Sequence, residues 1–249
     1  MIDTHAHLND LCYDNDIDDI VISARANGIK KIIIVGTNIE SSTKAIMMSK
    51  MHPILYPTAG FHPTELDNLD FVALEGIIKN NKIYAIGECG IDLYWQVNNL
   101  ELQREVFIKQ IELAIKYELP IIIHTRNSFN ETYECLLPYK GKIKGVFHCF
   151  SGTLDDANKA IELGFFLGIG GVVTFKNASE FKSIVKIIDL KHLLLETDCP
   201  YLAPVPFRGK RNEPALIKYI IKEISIIKNV KIEMVDEVTS ANATKLFGL

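Results

Sequence analysis

Short runs rich in Ile, Val, Leu and aromatic residues recur eight times along the chain: Met1–Thr4, Lys31–Gly36, Ile54–Ala59, Ile83–Gly87, Pro120–His124, Gly145–His148, Phe165–Ile169 and His192–Glu196. Their apolar residues are mostly consecutive, which predicts strands covered on both faces. Between the runs the period lengthens to that of a helix. From Leu100 to Leu119, for example, Phe107, Ile111, Ala114 and Ile115 share one face, while Arg104, Glu105, Lys109 and Glu112 fall mostly elsewhere. Ser128-x-x-Glu131 reads as a capping box opening another helix, and Gly28 and Gly164 stand where helix C-caps are expected. Eight strand–helix units in 249 residues predict an α/β fold, a closed TIM (β/α)8 barrel spanning residues 1–249 as one domain. Terminal helices from Glu213 to Leu249 close it.

Composition narrows the partners. At 48 % hydrophobic the chain can bury a large core, and a net charge of −4 provides no global attraction for polyanions. Contact with nucleic acid would need a local basic patch. No run of apolar residues is long enough to span a membrane, and Met1 leads straight into Ile2-Asp3-Thr4-His5 without a signal-like segment, so a cytoplasmic location is expected. Nothing in the chain predicts an oligomer, and a monomer is the default. Five cysteines without C-x-x-C spacing read as free thiols. Cys89, Cys149 and Cys199 each follow a candidate ligand, and strand alternation would turn them away from it. No glycine-rich phosphate loop of dinucleotide or Walker type follows any strand; Gly168-x-Gly170-Gly171 introduces no fingerprint helix.

The chemistry gathers at strand ends. His5, His7, Glu88, His124, His148 and Asp198 each stand at or just past the C-terminal end of an expected strand, which is where parallel barrels place their active sites. Four imidazoles and two carboxylates form a donor set suited to divalent cations. His5 and His7, two apart on a strand, face the same way and can share one cation. Glu88 can bridge a pair of cations, activating a shared water, and Asp198 can both hold a cation and accept that water's proton. A hydrolase with one or two metals follows. Asp3 and Glu196, two residues before His5 and Asp198, are expected to support those ligands without binding metal.

Several segments then resemble the TatD family of metal-dependent deoxyribonucleases: Asp3-Thr4-His5-Ala6-His7-Leu8, Gly60-Phe61-His62-Pro63, Gly87-Glu88-Cys89-Gly90-Ile91-Asp92-Leu93-Tyr94, Ile123-His124-Thr125-Arg126, His148-Cys149-Phe150-Ser151-Gly152, the run from Leu195 to Pro204, and Arg208-Gly209-Lys210-Arg211-Asn212-Glu213-Pro214. The resemblance implies an amidohydrolase-type TIM barrel, a two-metal centre of Mg2+, Mn2+ or Zn2+, and exonuclease hydrolysis of DNA, single-stranded or at frayed ends. It implies His5, His7, Glu88, His124, His148 and Asp198 as ligands, with Glu88 bridging.

Four further residues are candidates for holding substrate. His62 follows the third strand, and Arg126 lies two past His124, where its guanidinium would hold a phosphate or else pair with Glu88 or Asp92. Arg208 and Tyr201 lie in the loop after the eighth strand, where cations alternate with aromatics in a manner suited to a phosphate backbone and its bases. Two alternatives stay open. One is hydrolysis of a C–N or C–O bond in a small metabolite; the other is a nucleic-acid-binding protein without turnover.

Overall fold

The computed structural model describes residues 1–249, and all eight expected strands form. They are β1 (Ile2–Ala6), β2 (Lys31–Ile34), β3 (Leu55–Pro57), β4 (Ile86–Asp92), β5 (Ile121–Arg126), β6 (Gly145–Phe147), β7 (Phe166–Ile169) and β8 (Leu193–Leu195). Helices alternate with them: α1 (Ile17–Ala26), α2 (Ile39–Met51), α3 (Phe71–Asn80), α4 (Leu100–Lys116), α5 (Phe129–Leu136), α6 (Leu154–Glu162) and α7 (Ser179–Ile187), then the terminal pair α8 (Ile217–Lys228) and α9 (Ile232–Phe247). Every strand pair is parallel, in two arcs ordered β1-β2-β3 and β4-β5-β6-β7-β8. Isolated parallel bridges, Ala59 to Ile86 and Ala6 to Cys199, join the arcs at both seams. The barrel therefore closes through single bridges where continuous ladders stop.

Two packed regions account for the consecutive apolar residues of the strands. One set faces out toward the helices, with Ile32, Ile34, Ile121, Ile123, Phe147, Leu193 and Leu195 in a core of 51 buried residues. The other runs down the barrel axis: Ile2, Ile33, Val35, Ala85, Ile122, Val146 and Leu194, stopped at the bottom by Ala243, Leu246 and Phe247 of α9. With the N-terminal end plugged, the C-terminal mouth is where polar chemistry has room. No helix is long and apolar enough to cross a membrane.

Local expectations fared unevenly. Gly28 and Gly164 do follow α1 and α6 with φ of +84° and +89°. The capping box at Ser128 does not form: its hydroxyl donates instead to Ile91 O at 2.5 Å and accepts from the Arg126 N–H at 3.1 Å. A hydroxyl already committed to neighbouring strands is not available to the helix. Thr153 and Asp156 make a true box on α6. The fourth strand begins and ends later than expected, at Ile86–Asp92, so Glu88 lies within it.

Gly90 of β4 has φ of +147°, and a Cβ there would overlap the carbonyl oxygen of His124 on β5. Gly90→Ala should therefore destabilise the chain by more than about 3 kcal/mol. Gly209→Ala, also at positive φ (+80°) but with nothing nearby, should cost only about 1 kcal/mol. Chemical denaturation of the pair checks this; equal losses would mean that the β4–β5 approach is slack.

Candidate metal centre

Three strands carry candidate donors toward the mouth, His124 within β5 and the others in the turns that follow β6 and β8. Ile122, Val146 and Leu194 face the barrel axis, so His124, His148 and Glu196, each two residues on, rise on the same side toward the mouth, while Asp198 is placed by a turn with left-handed φ. β1 and β4 do not follow this rule. Ile2 and Ala85 face the axis, yet it is His5 and Glu88, of opposite parity, that reach the centre. The register of β1 slips between Asp3 and Ala6, and that of β4 between Ile86 and Cys89. An irregularity in each strand thus re-aims one ligand.

Glu88 is the hub. Its Oε2 lies 3.2 Å from His5 Nε2 and 3.5 Å from His7 Nε2; its Oε1 lies 2.7 Å from His148 Nε2, 2.9 Å from His124 Nδ1 and 3.4 Å from His62 Nε2. Asp198 Oδ1 stands 3.7 Å from His5 Nε2 and 3.4 Å from His7 Nε2. Three groupings result in which every donor atom is within 4.8 Å of the others: His5, Glu88 and His148; His5, His7 and Asp198; His62, Glu88 and His124.

The charges show what the donors fit. Burial opposes charge on His5, whose ring stacks at 3.9 Å on that of His148, and its pKa falls to about 4. Burial also opposes charge on His148, but Glu88, followed by Glu196 and Asp198, pushes its pKa up to about 10. Burial would raise Glu88 too; the imidazoles around it, His148 and then His5, hold it well below the usual carboxylate range. Buried nitrogens also face one another, His5 Nε2 and His7 Nε2 at 3.1 Å and His148 Nε2 and His124 Nδ1 at 3.4 Å. Such pairs must share protons unless a cation takes both lone pairs. Imidazole nitrogens and carboxylate oxygens so arranged fit divalent metal ions.

Surrounding groups orient this donor set. Asp92 Oδ2 lies 2.9 Å from His124 Nε2, taking that ring's proton and leaving Nδ1 toward Glu88. Burial works against the Asp92 carboxylate, but His124 and the N–H groups of Trp95 and Tyr94 bring its pKa to about 2. The Thr64 N–H donates to His62 Nδ1 at 3.2 Å, so the His62 proton sits on Nε2, facing Glu88. Asp3 accepts from the His5 and Thr197 N–H groups and the Thr197 hydroxyl, clipping β1 to the segment after β8. Glu196 accepts from the Cys149 N–H at 2.5 Å, and Gly168 leaves no space for a Cβ beside its other oxygen.

The remaining candidates separate. Arg126 and Tyr201 line a cavity of about 590 Å³ with His7, His62, Glu88, His124, His148 and Asp198. Arg126 pairs with neither Glu88 nor Asp92; its guanidinium lies 4.1 Å from the Tyr94 ring centre. Arg208 sits elsewhere, 3.7 Å over Phe175, a wall residue of the neighbouring cavity. Arg211 is tied to Asp16 and to Cys12 O. No cysteine joins the donor groupings. His148 and Asp198 lie past their strand ends, and Cys149 and Asp198 take left-handed φ of +44° and +55°, so turns rather than strand alternation separate the thiols from the ligands.

Sequence reasoning named Asp92 only as a possible partner of Arg126, and it missed Trp95 as part of this cavity. Asp92 stands four residues beyond Glu88, the spacing of one strand face, which a strand drawn five residues past Gly87 would have included.

Comparison with known proteins agrees with this geometry. The family model for TatD related DNase matches residues 2–248. A Bacillus subtilis protein, described as the uncharacterized metal-dependent hydrolase YabD, is 38% identical over 252 residues, covering 99% of this chain and 98% of its own. The crystal structure of YJJV, a TatD homolog from Escherichia coli, superposes with a TM-score of 0.95 at 27% identity, covering 100% of this chain and 98% of that one. An uncharacterized amidohydrolase from Saccharomyces cerevisiae matches in fold alone, with a TM-score of 0.80 at 19% identity over 99% of each chain.

Proposed function

The chain belongs to the TatD family of metal-dependent hydrolases, and from that membership we propose that it hydrolyses phosphodiester bonds of DNA as an exonuclease acting on single-stranded or frayed ends. The observation that carries this reading is the meeting of two unlike features in one cavity. Its floor holds His7, His124, His148, Glu88 and Asp198, with His5 buried behind them against Glu88, and its rim holds Arg126, a cation without a carboxylate partner. A phosphate-bearing substrate complements both.

In this reading His5, His7 and Asp198 would hold one cation and His124 and His148 a second, with Glu88 within reach of both sets. When bound, the cations supply Lewis acidity and offset the charge that develops on the phosphoryl oxygens. Asp198 takes up the proton of the attacking water at Oδ2, the oxygen outside its contacts with His5 and His7. His62 donates from Nε2 to a phosphoryl oxygen, its tautomer set by Thr64. Arg126 supplies a planar pair of donors to the phosphate. Asp92 keeps His124 in the ring orientation its role needs.

The test is metal-stripped protein on end-labelled single-stranded oligonucleotides, with Mg2+, Mn2+ or Zn2+ added back. Stepwise shortening only with metal is the expected result. Intact oligonucleotides under every metal would reject the nuclease reading in favour of a small-molecule substrate. In the same assay Arg126→Ala should raise KM roughly 10-fold or more and leave kcat within about threefold, as loss of a charged hydrogen bond made equally in both states does. An unchanged KM would remove Arg126 from the phosphate contacts.

A further inference from the structure

Trp95 is the only tryptophan of the chain, and it is 65% exposed on the loop after β4, next to Tyr94 at 52% exposed. Large aromatic surface left open at a cavity rim marks a place where something binds. The loop that carries the pair is anchored. The N–H groups of Tyr94 and Trp95 both donate to Asp92 Oδ1, at 2.8 and 2.7 Å, while Oδ2 of the same carboxylate meets His124 Nε2 at 2.9 Å. One carboxylate therefore sets the aromatic pair at a fixed offset from the donor cluster.

The two rings meet edge to face, with centroids 4.8 Å apart at 89°. Arg126 lies over both, 4.1 Å from the Tyr94 ring centre and 5.5 Å from that of Trp95. Held through its face by π contact, the guanidinium keeps its in-plane donors uncommitted. Trp95 and Arg126 line the same 590 Å³ cavity as Glu88, His124 and Asp198.

We propose that Tyr94, Trp95 and Arg126 form a nucleobase-stacking platform, taking one base of a single-stranded nucleic acid against the Trp95 ring while Arg126 holds the adjoining phosphate. The inference rests on the phosphodiesterase reading above and specifies how that substrate is gripped. Each element has its counterpart in a nucleotide: a π face for the exposed indole, an anion for the unpaired guanidinium, a scissile phosphate for the cluster below. Stacking accepts any base, because every base has a π face. It requires an unpaired base, so the platform selects single strands and frayed ends over intact duplex.

The metal-loaded protein is titrated with a phosphorothioate oligothymidylate, which resists hydrolysis, and with an abasic oligomer of equal length and charge. Quenching of the single tryptophan's fluorescence should saturate with the first and be absent with the second. Anisotropy of the end-labelled thymidylate should show Trp95→Ala binding roughly 10-fold more weakly and Trp95→Phe close to wild type. Both variants keep the backbone N–H to Asp92, and equal melting temperatures confirm their fold. Equal binding of the abasic oligomer, or undiminished binding by Trp95→Ala, overturns the platform; if wild-type protein still shortens DNA, the nuclease reading survives. Failure to bind or cut any oligonucleotide overturns both.

Discussion

Asp198→Asn should cut turnover by roughly 10³-fold or more while the chain still folds, because general-base catalysis alone contributes roughly 10²–10⁴-fold and the same carboxylate faces two imidazoles. Asp198 Oδ1 lies within 3.4–3.7 Å of His7 and His5. The amide keeps one oxygen for those contacts but can neither bear negative charge nor take a proton from water. The backbone tolerates the exchange: φ of +55° at Asp198 belongs to the left-handed region that Asn enters as readily as Asp. The bonds from the Asp198 N–H to His5 O and from the Tyr201 N–H to Asp198 O, both 2.9 Å, are untouched. Single-turnover kinetics on labelled oligonucleotide, with metal content measured on the same sample, checks this. Near-wild-type turnover would sink the assigned role, and a lost metal would shift the effect from proton transfer to ligation.

Divalent metal should raise the melting temperature by roughly 8–16 °C. A ligand at 1,000 times its Kd stabilises the folded state by about 4 kcal/mol, and in a chain of this size each kcal/mol moves Tm by roughly 2–4 °C. The donors exist as a cluster only in the folded chain, drawn from β1, β4, β5 and the turns after β6 and β8, so binding energy is folding energy. Protons compete with the cations for the imidazole nitrogens, His148 most strongly because Glu88 pushes its pKa up to about 10, so the gain should shrink as the pH is lowered. Glu88→Gln should lose most of it, since Oε2 serves one group of histidines and Oε1 the other. Differential scanning fluorimetry with and without chelator decides. Indifference of Tm to both chelator and added metal would mean that the buried donors share protons instead.

Several features of the centre were legible before any tertiary contact. Consecutive apolar residues with helical spacing between them identify eight parallel strands, because a strand buried on both faces has no polar side to show. Alternation from Ile122 and Val146 then carries His124 and His148 to the mouth, whereas Asp198 depends on the turn after β8. Elsewhere periodicity misleads. From Ile2 and Ala85 it points His5 and Glu88 away from the axis, and only the register slips of β1 and β4 bring them in. A slip is set by the neighbouring strand, not by the strand's own side chains.

Loops show the same division. Arg126, Arg208 and Arg211 look alike as residue types. Tyr94 and Trp95 keep the first at the cavity, Phe175 holds the second outside it, and Asp16 ties down the third. Asp92 and Trp95 acquire their places from a carboxylate that receives two loop N–H groups while meeting His124. By itself the sequence determined the barrel and the kind of chemistry at its mouth, since burial patterns and donor types are local and read directly from residue order. Which side chains share an atom-scale site was decided by the tertiary structure alone, because register and loop course depend on partners far apart in the chain.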